Sequence, residues 1–483
     1  MSTETMTETE MQSLVGELAK IVGPKNVMDR VEGRKKIIGD MSWLTYVHAA
    51  KGRPLSRQDA VATPHTTAEV AAIVKLANRL KIPVTPIGGG SGVQGAANAT
   101  RGGIMLNLRE MTKIRHLDKQ SLTITVEPGY IVKTFEQDLN KQGLSFTHYP
   151  ASAEWASVGG CLAARGSGVL STKYGNIQDH VLGIELVTPT GDIVQLPSVP
   201  KHAAGPELTQ LLIGSEGTLG IITACILKLR NVPAKRNFNA FSFPTLSQGI
   251  EAGRQIMTTG LRPPVMRLYD KDAAEHSLER AVQAGLKGPT MVLMFDGDHP
   301  SLVDAEANVA YELCKKLGGK ELGAKVGEVW WEKRYVFYHP PYAPELPQMW
   351  CTMDVVADFE HIENVYNKVT HAMKHALDPK WGLTLKTHFS HWYDWGSMIY
   401  PRWGVPKGPD DLDEALKLHD KIIHDATMAA LEAGAVINDH HGVGLRLAPY
   451  MEKQFGTAGM NMMRGIKKGL DPLNIMCPGK LGL

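Results

Sequence analysis

The chain has 483 residues, 43% apolar and 21% charged, with a formal net charge of +2. That length exceeds one ordinary core, so two or three domains are expected, and the charge balance gives no reason to expect nucleic acid or an anionic membrane as partner. Five scattered cysteines (Cys161, Cys225, Cys314, Cys351, Cys477) with no Cys-x-x-Cys argue against a disulfide framework or a zinc ribbon and make a reducing compartment the default.

Residues 1–12 are acidic and polar and read as disordered; they lack the basic start and apolar core of a signal peptide. No apolar run is long enough to span a bilayer, and the ending Lys480-Leu481-Gly482-Leu483 is not a peroxisomal signal. A cytoplasmic protein follows by elimination. Met11 to Val22 has helical spacing, and the basic segment to about Arg57 reads as a lead-in packed on the outside. From Ala60 to Val232 strands and helices alternate in short units. Ala68 to Leu80 reads as an amphipathic helix capped by Thr66 or Thr67, with Glu69 in its first turn. Ile104 to Leu108, Leu122 to Glu127 and Ile184 to Pro189 read as strands, and Thr134 to Gln142 as a helix ended by Gly143.

Within this region lies Pro86-Ile87-Gly88-Gly89-Gly90-Ser91-Gly92-Val93-Gln94-Gly95, directly after a short apolar run. Such a backbone approaches a ligand closely, and its bare N–H groups can form a nest for a pyrophosphate. We read it as the loop that holds the diphosphate of a flavin dinucleotide. Gly90-x-Gly92-x-x-Gly95 also fits the nicotinamide-dinucleotide fingerprint, but that motif must open a helix. The residues that follow, Ala96 to Gly103, are too rich in turn formers for that. The bland alternative is a surface loop without ligand. A second glycine-rich stretch runs from Pro150 through Gly159-Gly160 and Gly168 to Gly175, and a third from Gly214 to Gly220. Convergence of the three on one extended ligand is more economical than three unrelated turns.

After Val232 longer strand–helix units appear. Phe241 to Phe243 and Met291 to Asp296 read as strands, Leu246 to Thr259 and Asp411 to Gly434 as helices. Aromatic residues crowd the stretch from Trp330 to Trp403, including Tyr342, Trp350, Trp392 and Trp395. That density favours an aromatic-lined pocket, with simple core packing as the alternative.

Several of these pieces carry a family resemblance: Pro86–Gly95, Ser157 to Asp179 with Lys173-Tyr174-Gly175-Asn176-Ile177, and Gly214-Ser215-Glu216-Gly217-Thr218-Leu219-Gly220. So do Asp439-His440-His441-Gly442-Val443-Gly444 and Pro478-Gly479-Lys480. The chain resembles the flavoproteins named after vanillyl-alcohol oxidase and p-cresol methylhydroxylase, most of all the alkyldihydroxyacetonephosphate synthase branch. The resemblance implies an α+β fold: a two-subdomain FAD-binding domain, and a substrate domain whose antiparallel sheet covers the flavin. The expected divisions are a lead-in at 1–56, the FAD domain at 57–235, the substrate domain at 236–438, and a returning segment at 439–483. By position, the resemblance places Pro86, Gly88, Gly89, Gly90, Ser91, Gly92 and Val93 at the diphosphate. Pro150, Ser152, Ser157, Gly159, Gly160, Gly168, Tyr174, Gly175 and Asn176 are expected along the flavin and ribityl chain. Glu216, Gly217 and Ile222 complete the wall. Relatives hold FAD covalently or not; His65, His148 and His180 lie near these stretches, and noncovalent FAD is the expectation. A homodimer is expected by analogy.

Hydride transfer from an alcohol needs a group that takes the hydroxyl proton. His440 and His441, on one turn, suit that task; a solvated or capping pair is the alternative. Tyr400 and Arg402 alternate along a strand-like run and project to one face, where they could hold a phenolate or carboxylate. A surface salt bridge is the alternative for Arg402. Trp330, Arg334, His391, Trp392 and Trp395 complete the expected substrate pocket. Related 2-hydroxyacid dehydrogenases carry a metal, but their second histidine and their glutamate correspond here to Met398 and His440, so no metal is expected. The synthases have a third histidine at Asp439 and a basic residue after their Pro-Tyr segment, where this chain reads Pro341-Tyr342-Ala343-Pro344-Glu345. Both departures weaken a phosphate-ester reading. The leading expectation is an FAD-dependent oxidoreductase acting on an aromatic or apolar alcohol. Its small-molecule substrate is unidentified, and oxygen, a quinone or a cytochrome re-oxidises the flavin. A synthase-like transferase, a 2-hydroxyacid dehydrogenase and a non-catalytic electron-transfer subunit are the alternatives.

Overall fold

The computed structural model describes residues 6–335 and 345–483. Three main sheets organise the chain into an α+β fold. The first has four strands in the order Val27–Asp29, Ala60–Ala62, Ile104–Asn107, Val84–Ile87, and its last three strands are parallel. Helix Thr67–Leu80 makes the crossover into Val84–Ile87. A capping box of Thr66 and Glu69 starts it, and Val70, Ile73, Val74 and Ala77 bury its apolar stripe. That crossover aims the chain out of the carboxyl end of Val84–Ile87 straight into the glycine loop.

The second sheet is antiparallel and has five strands: Ile114–Asp118, Thr123–Val126, Ile221–Lys228, Val181–Val187 and Ile193–Gln195. The third is the largest. Lys235–Ser242, Thr290–Gly297, Val265–Tyr269, Thr384–Trp392 and Gly396–Val405 pair antiparallel in that order, with Met349–Thr352 and Val355–Asp358 both on Gly396–Val405. Helices Leu246–Thr258, Pro300–Lys316, Ile362–His375 and Leu412–Glu432 bury apolar faces beside it.

The chain end returns to its start. Met476 bridges to Val84 in parallel, and Cys477 donates its N–H to the Val84 carbonyl at 2.9 Å. The Lys480 ammonium, 1% exposed, donates to the carbonyls of Gly95 and Asn98 at 2.9 and 2.8 Å.

Three expectations change. The first helix begins at Glu8 rather than Met11, because Thr7 and Glu10 form a capping box that holds the polar segment helical. The stretch up to 56 is not peripheral: Val27–Asp29 is a sheet strand, Trp43 is buried among the large sheet's core residues, and Asp40 is 1% exposed. The strand expected at Phe241 to Phe243 runs Lys235–Ser242; its first half is polar, and pairing with Thr290–Gly297 makes it a strand.

Candidate active site

The three glycine-rich turns open on one cavity of about 830 Å³ between the first sheet and the large sheet. Pro86 and Gly88 to Val93 line it, as do Pro150, Ser152, Ser157, Gly159, Gly160 and Gly168, and Glu216, Gly217 and Ile222. Helix Val158–Ala164 fixes how closely the turns approach. Its N-cap Ser157 accepts N–H bonds through Oγ from Gly160 at 3.2 Å and from Gly89 at 3.3 Å. A Cβ on Gly89 would stand 1.7 Å from the Trp155 carbonyl oxygen, and one on Gly217 would stand 2.7 Å from Pro86 Cγ. Arg109 donates to the carbonyls of Gly88 and Gly89 at 2.7 and 3.0 Å. Those contacts turn the loop's carbonyls toward Arg109. Among the described residues, no protein acceptor meets the N–H groups of Gly90, Ser91 or Gly92.

Tyr174, Gly175 and Asn176 do not line this cavity. The Tyr174 hydroxyl donates to Asp296 at 2.6 Å, and Gly175 (φ +88°) ends a short helix against Asp179. Asn176 donates to the Tyr393 hydroxyl at 3.0 Å, and Tyr393 donates to Asp439 at 2.5 Å. Asn176 therefore acts on the cluster described next through Tyr393.

At the other end of the cavity the turn Asp439–Gly442 meets the large sheet. Tyr400 and Arg402, alternating on Gly396–Val405, both line the cavity with His391, His440 and His441, as the spacing predicts. His388 pairs with Tyr400 across the strands, and their rings stack at 4.7 Å. The buried carboxylate of Asp354 organises the turn. It accepts backbone N–H bonds from His440 at 2.7 Å and His441 at 2.9 Å, and its Oδ1 lies 2.9 Å from His441 Nδ1. Asp439 Oδ2 lies 2.9 Å from both His391 Nδ1 and His440 Nδ1. The His441 Nδ1 thus faces a carboxylate, and the tautomer with its proton on that nitrogen leaves Nε2 as acceptor. That Nε2 lies 3.2 Å from the Tyr400 hydroxyl.

The electrostatics separate these groups. Burial opposes ionisation of Asp354 and Asp439, and the adjacent histidines overcome it and hold both carboxyls below the usual carboxylate range. Burial alone would lower His440, but Asp354 and Asp439 raise it. Burial outweighs Asp354 at His441, which is lowered. Burial pushes the Tyr400 phenol up to about 12. The cluster thus holds one imidazole biased toward the charged form beside one biased toward the neutral form.

The expected aromatic wall is not what lines the cavity. Trp330 is buried behind it and donates to the Tyr269 hydroxyl at 2.7 Å, so Tyr269 lines the cavity instead. Trp392 packs against Phe359 and Phe389 in the core. Trp395 is 54% exposed and stacks on Tyr393. Arg334 lies over Trp331, 3.8 Å from its centroid, away from the cavity. Tyr342 lies outside the described residues. Aromatic side chains favour any apolar contact, and here most of them serve the sheet's own packing. Of the expected set only His391 faces the cavity, joined by Trp350 and Trp403.

Sequence reasoning missed Asp354, Arg267, Lys386, His388, Asp40 and Gln94. Arg267 had a visible signal: it is a lone cation in Val265–Tyr269, a strand buried at every position. Two side-chain groups at this end also have metal-ligand spacing. Donor atoms of Asp354, His440 and His441, and of His391, Asp439 and His440, lie within 4.8 Å of one another.

An extended, polar, phosphate-bearing group suits the cleft. Bare N–H groups and close-approach glycines form one wall, and buried Asp40 Oδ2 and both polar atoms of the Gln94 amide face the cavity without a protein partner. Residues 58–197 match the FAD binding domain family, and residues 232–481 match the FAD linked oxidases, C-terminal domain. The chain belongs to the FAD-linked oxidase family, and FAD is its cofactor.

It is 28% identical over 467 residues to an alkyldihydroxyacetonephosphate synthase of Dictyostelium discoideum, covering 89% of this chain and 74% of that one. It is 29% identical over 429 residues to a mitochondrial D-lactate dehydrogenase (cytochrome) of Arabidopsis thaliana, covering 88% and 73%. Its fold superposes on p-cresol methylhydroxylase with substrate bound at a TM-score of 0.77 and 18% identity, covering 99% and 98%.

Proposed function

We propose that this enzyme oxidises an alcohol to a carbonyl compound, with FAD held noncovalently. The supporting observation is the Asp354–His441–Tyr400 relay at the sheet end of the cavity. When bound, FAD supplies the two-electron acceptor for the hydride that leaves the substrate carbon. The chain's own residues manage the proton. A substrate hydroxyl brought to the Tyr400–His441 pair gives its proton to His441 Nε2, and Asp354 beside Nδ1 stabilises the imidazolium that forms. Tyr400, whose phenol stays protonated, donates to the substrate oxygen as its charge develops. His440, which Asp354 and Asp439 bias toward its charged form, favours the same developing negative charge. Arg267, buried in the sheet and lining the cavity, orients the same oxygen-bearing end of the substrate.

Noncovalent attachment is supported by the candidate tethers. His148 and His180 are buried against Phe146 outside the cavity, and His65 does not line it. Cys161 lines the cavity, but burial pushes its thiol up to about 12 and keeps it a poor nucleophile.

Mixing the protein anaerobically with a panel of alcohols and hydroxy acids tests the reading. One class should bleach the flavin absorbance, and His441→Ala should slow that bleaching by about 10²–10⁴-fold with flavin content retained. Bleaching by none of them would overturn it. Similarity to the Dictyostelium discoideum synthase supports a second reading, a flavin-dependent group transfer without net flavin reduction.

A further inference from the structure

The glycine-loop end of the cavity is short of positive charge. Among the described residues up to Ile222 that line it, none is a lysine or an arginine, and two carry carboxyl groups, Asp40 and Glu216. Arg109 directs its guanidinium at the Gly88 and Gly89 carbonyls and does not line the cavity. The Glu216 carboxyl accepts N–H bonds from Val443 at 2.6 Å and Gly444 at 2.9 Å. Asp40 is engaged through one oxygen. Its Oδ1 accepts from the Thr45 hydroxyl at 2.9 Å, the Asn98 amide at 3.0 Å and the Ser42 N–H at 3.3 Å. Its Oδ2 has no protein partner and faces the cavity, although the residue is 1% exposed. The next residue, Met41, donates its N–H to the Gly92 carbonyl at 2.8 Å. That bond keeps Oδ2 beside the loop, 3.6 Å from where a Gly92 Cβ would stand.

We propose that Asp40 is protonated when FAD is bound and donates a hydrogen bond through its Oδ2 to the diphosphate, so that FAD binding takes up one proton from solvent. The inference needs FAD in the cleft but not the oxidation reading. The N–H groups of Gly90, Ser91 and Gly92, which meet no protein acceptor among the described residues, draw the anion to this same loop. An ionised Oδ2 there would set one buried negative charge against another, with no cation lining the wall between them. A protonated Oδ2 replaces that repulsion with a hydrogen bond to a charged acceptor, one of the stronger kinds. Burial is the largest influence on the Asp40 carboxyl and raises it above its ordinary value, against Thr45, Ser42, Lys480 and Asn98. Lys480, buried and bonded to the carbonyls of Gly95 and Asn98, is the cation among these. Glu216 and Tyr46 face the same carboxyl, and each is itself raised in part by its charge. A neighbouring diphosphate pushes Asp40 further toward its protonated form.

Release of flavin from the FAD-loaded protein on dilution, read by flavin fluorescence, gives the dissociation constant at each pH. Affinity should be level at low pH and fall by up to about ten-fold per pH unit once pH passes the Asp40 value of the flavin-free protein. In that falling range an indicator dye should register one proton given up per FAD released. Asp40→Asn carries its N–H at every pH, so it should bind FAD nearly as tightly as wild type at low pH and lose the slope. Asp40→Ala should lose the slope and also bind about ten-fold more weakly at low pH. Glu216→Gln should keep the slope, which separates the two carboxyls. Cooperative melts show that the variants are folded, and the wild-type proton count needs no variant. Wild-type affinity that stays level from about pH 5 to 9, with no proton released, overturns the proposal. So does a slope that survives in Asp40→Asn. FAD affinity that needs an added divalent cation, and loses that need in Asp40→Asn, also overturns it, because a cation then lies between the two anions.

Discussion

The Tyr400 hydroxyl stands 3.2 Å from His441 Nε2, and the two residues are 41 positions apart in sequence. The sheet delivers the phenol, and a turn pinned by Asp354 delivers the imidazole. Asp354 is expected to hold that turn as well as polarise it. Asp354→Asn should slow flavin reduction less than His441→Ala does and cost about 1–3 kcal/mol of stability, because the turn's N–H groups lose a charged acceptor. Stopped-flow reduction and thermal melts on the same samples check both effects.

The pH dependence follows from His441. Its pKa lies below the usual imidazole value, so its base form is already present at neutral pH. Flavin reduction should be constant from pH 7 upward and fall only as pH drops below about 6.5. A rate that already declines between pH 8 and 7 would show that some other group takes the proton.

Glu216 gives a separate pH signature. Burial raises its carboxyl to about 7, against the two backbone N–H groups of Val443 and Gly444 that favour the charged form. The folded chain therefore binds this proton more tightly than the unfolded chain. Its stabilising share is full below the ordinary glutamate range and is lost as pH rises toward 7, at most about 3 kcal/mol. Urea melts of Glu216→Gln against wild type at pH 4.5 and 7 should show the variant gaining on wild type as pH rises.

Two glycines of one loop should fail differently when changed to alanine. Gly89→Ala meets the Trp155 carbonyl and should destabilise the fold itself. Gly92→Ala meets Asp40 Oδ2 only at 3.6 Å, an ordinary contact, so the protein should fold. Its methyl would occupy cleft space, and FAD affinity should fall by about ten-fold or more. Fluorescence titration of apoprotein with FAD separates the two cases.

Metal removal should leave activity unchanged. The histidine Nδ1 atoms near Asp354 and Asp439 sit at hydrogen-bond distances from those carboxylates. Chelator dialysis followed by metal analysis and flavin reduction checks this. A rate restored by added divalent metal would contradict it.

The turns around Gly88, Ser157 and Glu216 were legible because a missing side chain is itself a sequence signal. Tyr400 and His441 were legible from strand alternation and from adjacency on a turn. Asp354 was not, since its partner His440 is 86 residues away and the bond between its carboxylate and the His440 N–H exists only in the folded chain. Lys386 was hidden for the same reason: its place opposite Arg402 comes from strand pairing. The aromatic stretch misled because Trp330 and Trp392 are chemically as suited to a core as to a pocket, and their neighbours in space decided the outcome.

The contact between Lys480 and the carbonyls of Gly95 and Asn98 joins residues up to 385 positions apart. The far end of the glycine loop is thus tied down by a residue from the opposite end of the chain, so the flavin site is completed only when both ends are folded together.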